Sequence, residues 1–292
     1  MTFANNDSAT HSPTDSPGTA PDAPADTSRA RFDVRGFART ARGNHRETLR
    51  LTDFATDPLS TDSIRSVRYL ARLESGTMEQ LRNLLVTATH KDARITAFLV
   101  TWAFEKFWIA DALDAVLEAN GQPKSHEVAE GSVRRSRTES VERRGPIRRA
   151  IAGLIQGVPI IGVHVTTGLV DEWVTRVAYD RLDAESASPA LSSTIATIVA
   201  VKQRHVAFFD DEARRRLADD PRAVPLTRTS LERQAWPLGA VDRAGDDRSF
   251  FERTVFGDDD GRARAADIGH RVADLPGMDS RIGHAVTRKL CG

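Results

Sequence analysis

The feature that most constrains the fold is the helical spacing of apolar residues in four long segments. Apolar side chains recur every three or four positions, which is the period of an amphipathic helix. The first segment has them at Ile64, Val67, Leu70, Leu73, Leu81, Leu84 and Leu85. Strand-type alternation is nearly absent. The pattern predicts an all-α protein with helices at residues 62–87, 93–119, 159–184 and 189–218.

The connections between these helices predict how they are arranged. Short links join helices one and two and helices three and four, whereas residues 122–144, rich in Ser, Arg and Glu, form a long surface connection. A short helix is expected between Pro146 and Gly157. A single long crossover is one known topology of four-helix bundles. We therefore expect a four-helix bundle at residues 60–218.

The bundle is expected to follow an irregular N-terminal region, residues 1–59. Residues 1–28 contain no Lys or Arg and are rich in Ser, Thr, Pro, Ala and Asp, which is typical of a disordered tail. Residues 29–59 carry many arginines and little periodic apolar content. Charge runs of this kind are usually solvated, so this basic arm is expected to be a solvated linker.

The C-terminal residues 219–292 are expected to form a small mixed lobe appended to the bundle. The pattern changes after Pro221, and short helices are predicted near residues 248–256 and 262–274. The Leu-Pro-Gly run at residues 275–277 indicates a stop.

Composition excludes several classes of function. Lys and Arg number 41 and Asp and Glu number 41, so the chain lacks the basic footprint that nucleic acid requires. Cys291 is the single cysteine, which excludes an intrachain disulfide, a thiolate zinc cluster and an iron–sulfur cluster held by this chain. A reducing cytoplasm is the expected location.

One segment suggests a membrane alternative. Residues 150–170 contain no Asp, Glu, Lys or Arg, so a single-span membrane-associated protein has to be considered. Glycine, proline and polar residues dilute the apolar character of this segment. A central bundle helix gives the same pattern, so we expect no membrane span.

The four predicted helices place polar groups among residues that face inward. These groups are Glu74, Glu105, Glu172 and His205. Residues at i and i+3 lie on one face of a helix, so Lys202 is expected beside His205 and Trp108 beside Glu105. Tyr179 and Phe209 are expected to line a pocket around these groups.

The run Lys202-Gln203-Arg204-His205, followed by aromatic residues, resembles the last ligand helix of ferritin-like proteins, whose usual form is Glu-x-x-His. The resemblance covers residues 60–218 and points to a bacterial branch of the superfamily. It implies a four-helix bundle with a di-metal carboxylate site. The metal ligands that it implies are Glu74, Glu105, Glu172 and His205.

Two positions depart from the ferritin-like pattern. Trp108 stands where the first histidine belongs, and Lys202 stands where the second glutamate belongs. An ammonium in place of a carboxylate changes the local charge by two units and repels a metal ion. We expect Lys202 to take the place of the cation by pairing with the buried carboxylates, and the Trp108 side chain to fill a vacated metal position.

These observations support two functional hypotheses. The first is a metal-independent scaffold that binds a small apolar ligand or a protein partner, with a homodimer as one alternative. The second is a non-haem oxidase or oxygenase that uses iron or manganese held by the remaining ligands. The expected cofactor is therefore none, or iron or manganese. No Gly-rich phosphate loop, nucleophile elbow or His-Glu-x-x-His motif occurs in the chain.

Overall fold

The described part of the chain is helical and contains no strand, which confirms the all-α class. The structure, a computed structural model, describes residues 31–126, 157–239 and 245–292. By its contacts the chain divides after Arg31, and every element below belongs to the unit Phe32–Gly292. The predicted tail, crossover and short helix before Gly157 lie largely or wholly outside the described residues.

Four predicted helices correspond to five observed ones. The long helices are α2 Thr61–Ser75, α3 Thr77–Leu85, α4 Ala93–Ala119, α5 Ile160–Ser186 and α6 Pro189–Asp219. The first predicted helix is divided at Gly76, because glycine is a poor helix former. Side chains fix the starts: Ser60 accepts a hydrogen bond from the Ser63 N–H, and Asp92 accepts from the Arg94 and Ile95 N–H groups.

Helices α2, α4, α5 and α6 surround one shared core. Helix α2 packs along α4, and α5 packs along α6. Contacts of α2 with α5 and of α4 with α6 join the two pairs. Both α4 and α5 are buried over most of their circumference, so polar side chains on several of their faces lie inside the protein.

Residues 32–59 differ from the predicted solvated arm. They contain helix α1, Val34–Arg39, and two short 3₁₀ helices, His45–Thr48 and Leu51–Ala55. The Phe37 ring stacks on Phe98 of α4 at a centroid distance of 5.0 Å. Four apolar side chains are buried, at Val34, Phe37, Phe54 and Leu59. The prediction was based on the many arginines of this segment. It did not take account of the few apolar residues through which the segment packs on the core.

The described part of the C-terminal region consists of helices joined by short non-helical segments. It contains α7 Ala223–Arg233, α8 Gly245–Phe256, α9 Asp259–Ala273 and α10 Ser280–Cys291. Helix α10 was not predicted. It packs closely on α9, since a Cβ atom at Gly283 would lie 2.3 Å from the backbone oxygen of Gly269. Its buried residues Ile282, Val286 and Leu290 have the helical spacing that could have revealed it.

None of the described helices has the length and apolar content that crossing a membrane requires. Of the uncharged segment at residues 150–170, the part from Ile160 onward begins helix α5, where most residues are buried. Residues 150–156 lie outside the described part. Burial between protein helices accounts for the apolar character of residues 160–170.

Candidate functional site

The structure brings together five of the side chains that the sequence singles out. Glu74 of α2, Glu105 of α4, Glu172 of α5, and Lys202 and His205 of α6 are each at most 1% exposed. With Lys106 of α4 they form one cluster, called here the ionic centre. Buried charges of this kind require partners of opposite charge.

Lys202 bridges two carboxylates from different helices. Its Nζ lies 3.1 Å from Glu74 Oε1 and 2.7 Å from Glu172 Oε2. The hydroxyl of Tyr179 also donates a hydrogen bond to Glu74 Oε1, at 3.0 Å. Burial alone would raise the pKa of Glu172, but the charges of Lys202 and Lys106 outweigh it and hold that pKa well below its usual range. The Glu172 carboxyl is therefore ionised inside the core.

Lys106 is a member of the ionic centre that the sequence analysis missed. Its Nζ lies 2.9 Å from Glu74 Oε2 and 5.1 Å from the ring centroid of Trp102. Burial would lower the pKa of Lys106, but Glu74 and Glu172 raise it above its ordinary value. Glu105 and Lys106 are the only charged residues between Ile95 and Ala110, and this isolated pair is the signal that could have identified it.

His205 connects the two halves of the ionic centre. Its Nε2 lies 2.8 Å from Glu105 Oε2, and its Nδ1 lies 3.5 Å from Glu172 Oε1. Glu172 Oε1 also accepts a hydrogen bond from the Trp102 indole N–H at 3.0 Å. Glu105 Oε1 accepts from the backbone N–H of Arg42 at 2.7 Å. The segment before α2 therefore contributes directly to the buried network.

The prediction for Trp108 is wrong, because its side chain lies outside the ionic centre. Trp108 is half-buried and packs against Gly43, where a Cβ atom would lie 2.8 Å from the indole Nε1. Glu105 and Lys106 both face inward, so the inward direction of α4 lies between them. At about 100° per residue, Trp108 is turned away from that direction by roughly 110°.

The two residues predicted to line a pocket lie beside the ionic centre and fill space there. Tyr179 is fully buried and contacts Glu74. The ring of Phe209 packs edge-to-face on Trp102 at a centroid distance of 5.8 Å. Large side chains therefore close the space around the charged groups.

The residues of the ionic centre do not fit a di-metal site. Lys202 lies between Glu74 and Glu172, and Lys106 faces the other oxygen of Glu74. Metal ions would have to share these carboxylates with two ammonium groups, which repel them. In the part of the chain that the structure describes, no three His, Cys, Asp or Glu side chains are grouped so that they could hold a metal ion.

Asp171 is a further buried carboxyl, next to Glu172 on α5. It is 5% exposed and accepts a hydrogen bond from the backbone N–H of Leu238 at 2.7 Å, which ties the segment after α7 to α5. Burial raises the pKa of Asp171 to about 6, and the charge of Lys106 opposes this increase. Asp171 therefore titrates closer to neutral pH than an ordinary aspartate.

The chemistry open to the ionic centre is limited. A protonated lysine has no lone pair for nucleophilic attack or for removing a proton, and the raised pKa of Lys106 keeps it protonated at neutral pH. The cluster can hold four helices together through matched charges.

Comparisons of the chain with protein-family models, with curated proteins and with solved structures find no match.

Proposed function

We propose that this protein is a metal-independent relative of the ferritin-like proteins, a four-helix bundle that serves as a scaffold and binds its partner at the surface. One observation carries the proposal: Lys202 Nζ lies within 3.1 Å of both Glu74 and Glu172. The carboxylates occupy the helices that the resemblance assigns to metal ligands. The lysine supplies the positive charge that a metal would supply.

The charges of the ionic centre support this proposal. Two of its three carboxylates, from Glu74 and Glu172, face the ammonium groups of Lys106 and Lys202. The third carboxylate, Glu105, contacts His205 and lies 3.4 Å from the guanidinium of Arg204. The network is therefore close to neutral without a metal. Two divalent ions would add four positive charges to it.

The packing around the centre favours a surface partner over an apolar ligand inside the bundle. Trp102, Tyr179 and Lys202 are among the largest fully buried side chains of the protein. Close packing of such groups leaves little space for a ligand. These observations therefore support binding of a protein or another polar partner at the surface.

The metal content of the purified protein tests this proposal. The protein is expressed in cells supplied with iron and manganese and compared with Lys202→Glu and with the control Lys91→Glu, whose side chain is exposed. We expect no stoichiometric metal in the wild type or the control. A wild-type protein that carries about one metal ion per chain would instead support the competing iron or manganese oxidase.

The Lys202→Glu variant separates the two parts of the proposal. It removes an ammonium and places a further carboxylate between Glu74 and Glu172. If the fold descends from a di-metal bundle, this variant is expected to gain affinity for Mn²⁺ and to be stabilised by it. If the variant folds and Mn²⁺ leaves its melting temperature unchanged, the ferritin-like relationship loses its support, and the metal-independent role stands.

A further inference from the structure

A cavity of about 270 Å³ opens between helices α2 and α8. Three of its lining residues, Arg65, Arg68 and Arg72, lie at i, i+3 and i+7 on one face of α2, and we call the space the arginine cavity. Asp247 of α8 and Gln122, after α4, lie opposite them. The cavity is separate from the ionic centre, although α2 contributes to both.

Arginine side chains outnumber carboxylates among the described residues that line the cavity. Asp247 lies 3.2 Å from an Arg65 nitrogen and 2.9 Å from an Arg72 nitrogen. It is the only carboxylate among the described residues that line the cavity. Arg65 and Arg72 therefore share this carboxylate, so within the described part of the protein the charge of Arg65 is only partly matched.

Arg68 lacks a carboxylate partner within the described part of the protein. One of its terminal nitrogens donates a hydrogen bond to the neutral side-chain oxygen of Gln122 at 2.9 Å. Its Nε is buried and has no hydrogen-bond partner among the described residues. Burial, and then the charge of Arg72, lower the pKa of Arg68. Among the described residues, Arg68 therefore has no carboxylate in hydrogen-bond contact, although the nearby charge of Asp247 partly offsets the lowering of its pKa.

Aromatic contacts hold the walls of the cavity in place. The Arg65 guanidinium lies 4.4 Å from the ring centroid of Phe250, and Tyr69 stacks on Phe251 at 4.6 Å. Both phenylalanines belong to α8, the helix that carries Asp247. Arg65 is therefore positioned before a ligand arrives, which lowers the entropic cost of binding.

We propose that the arginine cavity binds a small dianion, a phosphate monoester, whose phosphate oxygens accept hydrogen bonds from Arg68 and Arg65. The guanidinium group presents paired N–H donors that match phosphate oxygens. Arg65 and Arg68 carry one positive charge each, which suits a ligand with two negative charges. The volume of about 270 Å³ is close to the lower end of the range for small-molecule sites, about 300 to 1,000 Å³, and exceeds the space that a phosphate group fills.

Isothermal titration with inorganic phosphate, glycerol phosphate and glycerol tests this proposal at low ionic strength. The full-length wild type is compared with Arg68→Gln, with Asp247→Asn and with the control Arg82→Gln, whose side chain is exposed. We expect both phosphates to bind and glycerol not to bind. Arg68→Gln should weaken binding at least about tenfold, the effect of losing roughly 1.4 kcal/mol, and Arg82→Gln should leave it unchanged.

The Asp247→Asn variant keeps the test decisive if Arg68→Gln is poorly folded. Removal of the Asp247 carboxylate frees Arg65 from its ion pair and removes a negative charge that repels phosphate, so phosphate should bind several-fold more tightly to this variant, which loss of folding cannot imitate. A wild type that binds neither phosphate at millimolar concentration overturns the proposal. Equal affinity of wild type, Arg68→Gln and Asp247→Asn overturns it as well.

Discussion

The ionic centre and the arginine cavity share helix α2 but differ in how their charges are matched. In the ionic centre, Glu74 faces two ammonium groups within 3.1 Å, and the cluster is closed to solvent. In the arginine cavity, Arg68 contacts only a neutral amide among the described residues, and the site is open. A closed, matched cluster can hold helices together, whereas an open site with excess charge can bind a ligand of opposite charge.

The largest expected effect is the loss of a matched charge at the ionic centre. Lys202→Met keeps an elongated side chain but leaves Glu74 and Glu172 with fewer counter-charges. Removal of one partner from a buried pair costs about 3–5 kcal/mol, so we expect the free energy of unfolding in urea to fall by this amount. The exposed control Lys91→Met should change it by less than about 0.5 kcal/mol. Equal effects of both variants would contradict a matched centre.

Asp171 provides a test that depends on pH. Burial raises its pKa from 3.8 to about 6, so between these values the folded protein holds a proton that the unfolded chain has released. Its contribution to stability therefore falls as the pH rises through this range. Asp171→Asn removes this loss and retains an oxygen that can accept from the Leu238 N–H. Relative to wild type, the free energy of unfolding of the variant should increase by up to about 3 kcal/mol between pH 4 and pH 7.

Urea unfolding of wild type and Asp171→Asn at both pH values measures this change. The difference between the two proteins is the relevant quantity, because other carboxyls titrate in both. Burial opposes the low pKa of Glu172 but is outweighed by Lys202 and Lys106, so the wild type also loses stability when acid protonates Glu172. A difference that stays constant with pH would show that Asp171 titrates normally in the folded protein.

A smaller effect is expected from the Tyr179 hydroxyl. Tyr179→Phe removes its hydrogen bond to Glu74 Oε1 but leaves both lysines in place. A hydrogen bond to a charged group contributes about 1.5–3 kcal/mol, and the lower end of this range is expected because Glu74 keeps its ion pairs. Thermal unfolding of Tyr179→Phe should therefore show a moderate loss. An unchanged melting temperature would place this hydroxyl outside the network.

The smallest effect is expected in the arginine cavity in the absence of ligand. Arg68→Met removes a guanidinium that has no carboxylate partner among the described residues and relieves repulsion by Arg72. We expect the free energy of unfolding to stay within about 1 kcal/mol of wild type. A loss as large as that of Lys202→Met would mean that both charged regions are structural and would remove the contrast between them.

The sequence predicts a large part of the fold, because apolar periodicity is strong where helices are long. Helices α4, α5 and α6 begin and end within about two residues of the predicted positions. Glu74, Glu105, Glu172, Lys202 and His205 were predicted to meet because each is a polar residue at an inward-facing helix position. Their burial in one cluster follows from the packing of four helices around a shared core.

Other features could not be predicted because they depend on contacts between distant segments. Lys106 and Glu105 both face inward because α4 is buried over a wide arc of its surface. A prediction that takes one narrow stripe of a helix as buried includes only one of two adjacent residues. Trp108 is turned away from the ionic centre because the inward direction of α4 lies between Glu105 and Lys106. Asp247 contacts Arg72 although the two residues are 175 positions apart in the sequence. The local spacing of apolar residues cannot predict such a pair. Residues 32–59 pack on the core through a few apolar side chains. The arginine-rich composition of this segment gives no indication of that packing.

The most direct test of the central claim is the free energy of unfolding of wild-type protein with and without metal. A ligand that binds only the folded state raises this free energy in proportion to the logarithm of its concentration. If Lys202 and Lys106 supply the positive charge of the ionic centre, urea unfolding is the same in excess chelator and in excess Mn²⁺ or Fe²⁺. A stability that falls on chelation and rises with added metal would contradict the lysine-held centre.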